Sequence, residues 1–500
     1  MLSDGNNTYT MTYIIVTIAY LLFLTGIIIY KSRSVKTQDD FVVAGRGVPV
    51  YLLVGTLVCT WIGSGSLFGT AGLTFRSGFS ELWFSMGAWI GIIVIYFIAA
   101  RIRAISKYTL TDLLETRYNK TARLLGTITI IVAYLVIAGY QFKGGGRFIS
   151  ILTEGSISPE TGTLITCIVV IGFTALAGMV SIVSIDIFNG IIMTLAVIIA
   201  VPLAISSHGG WGEVVQTISE TRPEYLSMTE GIDFTWALGV ILPTLLLLLS
   251  ESSIYQKFSS AKDARSAKKA VVGMLTGVVI IELLMCVLAV VGFAIYAHDP
   301  RFFLPDGSID RTMSEEIILR IGYEQVPVYA GSLIFAAGVA IILSTGNTFL
   351  IVASTNVTRD LLQNMFGETV EKKFLLVQRI CIVVLGILAY VLISQFTTIL
   401  EMAFISYTMI GASIAPVLMA SFFWKRVTPA GGVASILGGM AMPVINKVME
   451  SVEVSFWVFP LDTDYIAIPS VIVSIVLLVV VSLMTKPSPE SKWKPFFERA

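Results

Sequence analysis

Residues 55–72 read Gly-Thr-Leu-Val-Cys-Thr-Trp-Ile-Gly-Ser-Gly-Ser-Leu-Phe-Gly-Thr-Ala-Gly, with hydroxyls and glycines crowded into an otherwise apolar stretch. Where such a stretch crosses a bilayer, an interrupted helix frees carbonyls that hydrocarbon cannot satisfy. A break there survives only against a protein cavity or an ion. A second polar run, Leu343-Ser344-Thr345-Gly346-Asn347-Thr348, falls in a later apolar segment and is expected to interrupt it. A third, Ser250-Glu251-Ser252-Ser253, follows Pro243. Acids at membrane depth are expensive and are functional candidates by default. Glu251, Glu282 and Glu401 qualify, and Glu251 stands out because it lies within a polar run.

The elements that hold these residues must be membrane helices. Of 500 residues, 55% are hydrophobic and 13% charged, whereas a soluble domain carries about a quarter charged residues. Windows of about twenty apolar residues fall at 11–30, 48–73, 81–100, 123–150, 161–180, 186–206, 235–255, 271–297, 328–360, 374–394, 400–422, 430–449 and 465–485. The reading is an all-α polytopic membrane protein with about 13 transmembrane helices. Lysine and arginine keep short loops on the cytoplasmic side, and most of the 33 basic residues fall in alternate loops. Acids such as Glu213, Glu220, Asp299 and Asp310 collect in the others. The N-terminus is therefore expected outside and the C-terminus in the cytoplasm, in a plasma or inner membrane.

The net charge of zero offers no basic field to nucleic acid. Cys59, Cys167, Cys286 and Cys381 occupy different spans at unrelated spacings, which indicates neither a disulfide framework nor a metal site. His208 and His298 sit in separate outer loops, so no histidine-based catalytic pair is present and neither an enzyme nor a cofactor is expected. Lys143-Gly144-Gly145-Gly146-Arg147 has no strand before it and no Gly-Lys-Ser/Thr after it, unlike a phosphate loop. It reads as a flexible end of its span. The Met1 end lacks a basic leader region, so the first apolar segment is expected to stay as a span. Residues 486–500 form a short cytoplasmic tail, which leaves a solute sensor dependent on a partner for its output domain.

One integral domain is expected over residues 1–500. After an extra helix at 11–30, residues 48–206 hold five spans and residues 235–422 hold five more in the opposite orientation. Two further helices follow within 430–485. Interrupted spans at corresponding places in two inverted halves point to the binding site of a transporter.

Several runs resemble motifs of the sodium:solute symporter family. They are Phe41-Val42-Val43-Ala44-Gly45-Arg46-Gly47, Ala71-Gly72-Leu73 and Ile185-Asp186-Ile187-Phe188-Asn189, then Tyr255-Gln256-Lys257 with Ala261-Lys262. Ser344-Thr345 with Thr358-Arg359-Asp360-Leu361, and Phe423-Trp424-Lys425-Arg426 with Ala430-Gly431-Gly432, continue the series. Their order and spacing carry the resemblance, which covers roughly residues 10–485. It implies a leucine-transporter-like fold, a 5+5 inverted repeat with discontinuous helices, and sodium-driven solute import by alternating access. Relatives in this family carry proline, glucose, pantothenate or choline.

The resemblance also implies where the ion lies. Sodium would sit between the backbone carbonyls of Cys59 and Ile62 on the broken helix and, on the later span, Ile341 with the hydroxyls of Ser344 and Thr345. On residue types alone, Ser344 and Thr345 serve equally well to bond back to their own helix or to join helices. Asp186 stands at the inner end of its span beside Ser181 and Ser184. In some relatives an aspartate here supports a second sodium site, while the residues alone allow a charge that faces water.

Solute contacts are expected at Trp61 and Ser64 in the first break, Gln141, Glu251 and Tyr407. An aromatic face with an acid could hold an ammonium group, which favours an amine, an amino acid or a choline-like cation. Thr60-Trp61-Ile62-Gly63 resembles the choline-transporter branch of the family. Sugars and carboxylates stay open, and Glu251 could instead be paired with Lys143 or Lys257 for structure alone. The expected partners are sodium, a small organic solute and the lipid bilayer. Proton coupling through Glu251 or Asp186 is the alternative.

Overall fold

The computed structural model describes residues 3–33, 37–105, 109–452 and 462–497. Residues 453–461 of the expected C-terminal helix pair and the last three residues of the expected 486–500 tail lie outside that set. The main helices of the first half are α1 Ser3–Ser32, α2 Val50–Trp61, α3 Ala71–Ser77, α4 Leu82–Tyr96, α5 Lys120–Leu152, α6 Pro159–Leu176 and α7 Met179–Ser207. They are followed by α8 Phe234–Ser250, α9 Ser252–Ser260, α10 Ala264–Tyr296, α11 Val328–Thr355, α12 Phe374–Leu392, α13 Ile399–Phe423, α14 Pro429–Ser451 and α15 Ala467–Met484. Isolated bridges at Val48–Ala261 and Phe303–Ile309 are the extended pairings among the described residues.

Among the described residues, twelve helical stretches are long and apolar enough to cross a membrane. One of them, Gly65–Tyr96, turns at Gly78 between α3 and α4. Helix α2, too short to span alone, then joins the π-helical turn Gly65–Thr70 and α3 as one interrupted crossing. That crossing accounts for the thirteenth span read from the sequence. Helix α12 exposes Leu376, Ile380, Val384, Ile387 and Leu388, an apolar face that suits lipid and not water.

Two expectations about helix continuity are corrected. The run Leu343–Thr348 does not interrupt its span, because α11 is continuous from Val328 to Thr355. Its polar residues are side chains on an intact backbone, and several bond to neighbouring helices. Likewise, Lys143–Arg147 is not a flexible helix end, since α5 runs on to Leu152. Gly145 and Gly146 face Thr166 and Thr163 of α6 at distances that leave no room for a Cβ atom, so these glycines let two helices touch.

The real interruptions lie elsewhere. Helix α2 stops at Ile62, whose φ of −76° and ψ of 97° are extended. Helices α8 and α9 are separated by Glu251 at φ −67° and ψ 98°. Around them, α11 packs against α1, α5, α6 and α7, while α2 packs against α7, α9, α10 and α11. Both breaks are thereby enclosed by protein, as free backbone groups at membrane depth require.

Candidate functional site

Ile341, Ser344 and Thr345 are buried and share one face of α11, as positions three and four apart on a helix do. That face meets the first break. The Thr345 hydroxyl donates to the carbonyl of Cys59 at 3.3 Å and to that of Ile62 at 3.4 Å. Carbonyls in the last turn of a helix have no partner further along it, so stopping α2 at Ile62 supplies these acceptors. Gly63 is needed here, because a Cβ atom would lie 2.9 Å from Thr345 Cγ2. Of the expected sodium residues, Thr345 is thus brought onto the Cys59 and Ile62 carbonyls, while the Ser344 hydroxyl beside it turns to Asp186.

Asp186 does not face water. It lies inside α7, which begins earlier than the sequence suggested, at Met179, and it is fully buried. Ser344 donates to its Oδ1 at 2.5 Å and Thr56 to its Oδ2 at 2.5 Å. The Cys59 thiol donates to its backbone carbonyl at 3.1 Å. Lys257 Nζ, on α9, lies 3.8 Å from Oδ2 and donates to the Thr56 carbonyl at 3.0 Å and to the Thr60 hydroxyl. Lys257 thus pairs with Asp186 and not with Glu251, because the second break turns α9 toward α2 and α7.

The solute residues fall into two groups along one helix. Gln141 Oε1 accepts from the backbone N–H of Ser64 at 3.0 Å, and Tyr140 and Tyr407 exchange a hydrogen bond at 3.0 Å. A Cβ atom on Gly65 would sit 2.7 Å from the Tyr407 hydroxyl and 3.3 Å from that of Tyr140. Ser64, Gln141 and Tyr407 therefore meet at the first break. Glu251 lies at the second, where Tyr134 and Ser253 donate to its Oε1. Tyr134 and Gln141 are seven residues apart on α5, about 10 Å of helix rise, so α5 braces both breaks. Lys143 is remote from Glu251 and donates instead to the Phe396 carbonyl at 2.5 Å.

Three polar atoms in these groups, Ser64 Oγ, Gln141 Nε2 and Glu251 Oε2, are buried without a protein hydrogen-bond partner. Such atoms are costly to leave unsatisfied, at about 1–3 kcal/mol each.

Trp61 does not form an aromatic wall with Glu251. Its indole N–H donates to Glu282 Oε1 at 2.8 Å, and Trp89 of α4 donates to Oε2 of the same carboxylate at 2.6 Å. Glu282 is thus a fixed anchor between α10 and the end of α2, a role the sequence reading missed along with those of Tyr134 and Tyr140. The Tyr134–Gln141 spacing on one helix face was the available signal for the tyrosines. Nothing in the sequence pairs Glu282 with two tryptophans.

On the side where α3 ends, Arg147 pairs with Glu315, and Glu315 also accepts from the backbone N–H groups of Ile399 and Leu400 at 3.0 and 2.8 Å. This clasp joins α5 to the start of α13 beneath a polar cavity of about 390 Å³ lined by Arg76, Arg311, Glu315, Glu401 and Asp464, among others. Glu401, the third intramembrane acid read from the sequence, pairs with Lys447 at 3.0 Å beside that cavity.

The chain and its fold have counterparts among known proteins. A sodium/proline symporter of Staphylococcus aureus is 24% identical over 97% of this chain and 95% of its own length. A solved sodium-coupled sialic acid symporter, in a substrate-bound outward-open state, superposes with a TM-score of 0.77 at 15% identity over 96% of this chain and 99% of that one. The nucleobase-cation-symport-1 transporter Mhp1, in a closed conformation, superposes with a TM-score of 0.59 at 12% identity over 92% and 99% of the two chains. The architecture is thus that of the leucine-transporter-like fold. The model of the sodium:solute symporter family matches residues 41–439, and the chain belongs to that family.

Proposed function

We propose that this chain is a sodium-coupled symporter that imports a small polar organic solute by alternating access. The observation that carries the reading is the Thr345 hydroxyl poised between the Cys59 and Ile62 carbonyls, with Ser344 beside it tied to Asp186. Sodium takes the place between these oxygens, with the Ile341 carbonyl as a further ligand, and so clamps the first break to α11. The same break presents Ser64 to the solute together with Gln141 and Tyr407. Occupancy of either place orders the segment that forms the other. By linkage, each ligand then raises the affinity of the other by the same factor.

The free oxygen of Glu251 favours a solute with an amine or other positively charged end, which includes amino acids. The relatives named as sodium/proline symporters are in keeping with that class. The chain performs no covalent chemistry in this reading and needs no cofactor. Residues 48–206 and 235–422 act as the two inverted halves, with the N-terminus outside the plasma or inner membrane and the tail in the cytoplasm.

The test is uptake into proteoliposomes across panels of amino acids, quaternary amines, sugars and carboxylates, with an inward sodium gradient or with potassium in its place. Accumulation of one panel only under the sodium gradient supports the reading. Accumulation driven equally by a proton gradient without sodium would replace it with the proton-coupled alternative.

A further inference from the structure

We propose that the Lys257 ammonium takes the place of a second sodium ion beside Asp186, so that this chain binds one sodium ion per transport cycle and not two. The inference rests on the sodium reading above and adds the stoichiometry to it.

Lys257 is fully buried. Its Nζ is surrounded by a backbone carbonyl from Thr56, a hydroxyl from Thr60 and the carboxylate of Asp186. Carbonyl, hydroxyl and carboxylate oxygens are the ligands a hard cation selects, and here a charge carried by the chain occupies them. The ammonium is held in place by the backbone of α9, so it neither exchanges with solvent nor responds to the sodium concentration. A buried charge persists only when it is paired and hydrogen-bonded, and Asp186 supplies the pairing for Lys257.

Asp186 is the bridge between this ammonium and the sodium site. One oxygen takes the Ser344 hydroxyl, and the other takes the Thr56 hydroxyl and faces Lys257. A sodium ion between Cys59, Ile62 and Thr345 shares the same carboxylate through Ser344. One negative charge then serves two cations. A third cation at Asp186 would meet the ammonium at close range, and the other carboxylate that Lys257 senses, Glu251, forms no ion pair with it among the described residues. Lys257 thus acts as a positioning residue: it holds the Asp186 carboxylate, and through it Ser344, ready for a single ion.

The test is equilibrium binding of radioactive sodium alone to the purified full chain in lipid nanodiscs, counting saturable ions per transporter. One ion is expected for the unaltered protein and none for Ser344→Ala with Thr345→Ala. Two are expected for Lys257→Gln, which removes the tethered charge, and one for Lys257→Arg, which keeps it. Two ions in the unaltered protein would overturn the inference and leave the symporter reading standing, and the count in that protein decides even if Lys257→Gln does not fold. A folded Lys257→Gln variant that still binds one ion would also overturn it. No saturable sodium at all would sink the sodium reading and this inference with it.

Discussion

Ile62 leaves its helix at φ −76° and ψ 97°, and Glu251 leaves its own at φ −67° and ψ 98°, so one backbone solution interrupts both halves of the molecule. What the two breaks offer differs. The first is followed by glycines and presents main-chain carbonyls to the Thr345 hydroxyl of α11, while the side chain of Ile62 packs in the core. The second puts a carboxylate at the interrupted position itself, and α9 after it carries Lys257 back to the first. A neutral break can bind and release a cation without holding it permanently. A charged break selects what comes next to it, which suits the solute. One helix, α5, touches both through Gln141 and Tyr134.

That division of labour can be broken first on the ion side. Replacing Ser344 and Thr345 by Ala removes the two hydroxyls from the sodium place and should abolish sodium-stimulated uptake. Single replacements should raise the half-saturating sodium concentration about tenfold or more, given about 1.5–3 kcal/mol for a hydrogen bond or ligand contact to a charge and 1.4 kcal/mol per tenfold in affinity. Uptake measured against sodium concentration reads both effects.

On the solute side, Glu251→Gln keeps the size and one acceptor oxygen but removes the charge. Transport of amines or amino acids should fall about tenfold, by the same arithmetic, with sodium half-saturation little changed. An equal fall for neutral solutes would mean that Glu251 only braces the fold. A smaller effect is expected from Gly65→Ala, whose Cβ would press on the Tyr407 hydroxyl at 2.7 Å. Overpacking of this kind costs about 1–3 kcal/mol, and a lowered melting temperature in detergent would register it. Trp61→Phe should do least. It removes one hydrogen bond to Glu282, worth about 1 kcal/mol, while Trp89 still holds the carboxylate, and it should leave sodium half-saturation where it was.

The ion side was the more legible of the two in the sequence. Hydroxyls in an apolar span are visible by composition, and family motifs imply their place in the fold, so Ser344 and Thr345 could be expected to meet Cys59 and Ile62, and Thr345 does meet their carbonyls. The same visibility misled on backbone: polar side chains at 343–348 resemble an interruption, yet an intact helix can present them. The solute side was harder because its partners are distant in the chain. Trp61 reaches Glu282 across 221 residues and Trp89 does so across 193, and no periodicity encodes such pairs. Asp186 and Lys257 were each visible as charges, but their meeting depends on the turn at Glu251.

The central claim is that sodium lies between the first break and α11. It is tested most directly by an experimental structure of the full chain solved in sodium at a resolution that reveals ions. The account predicts density enclosed by the carbonyl oxygens of Cys59, Ile62 and Ile341 and the hydroxyls of Ser344 and Thr345, absent when potassium replaces sodium. Ion density beside Asp186 in place of Lys257, with the Thr345 hydroxyl still closed onto the Cys59 and Ile62 carbonyls, would contradict it.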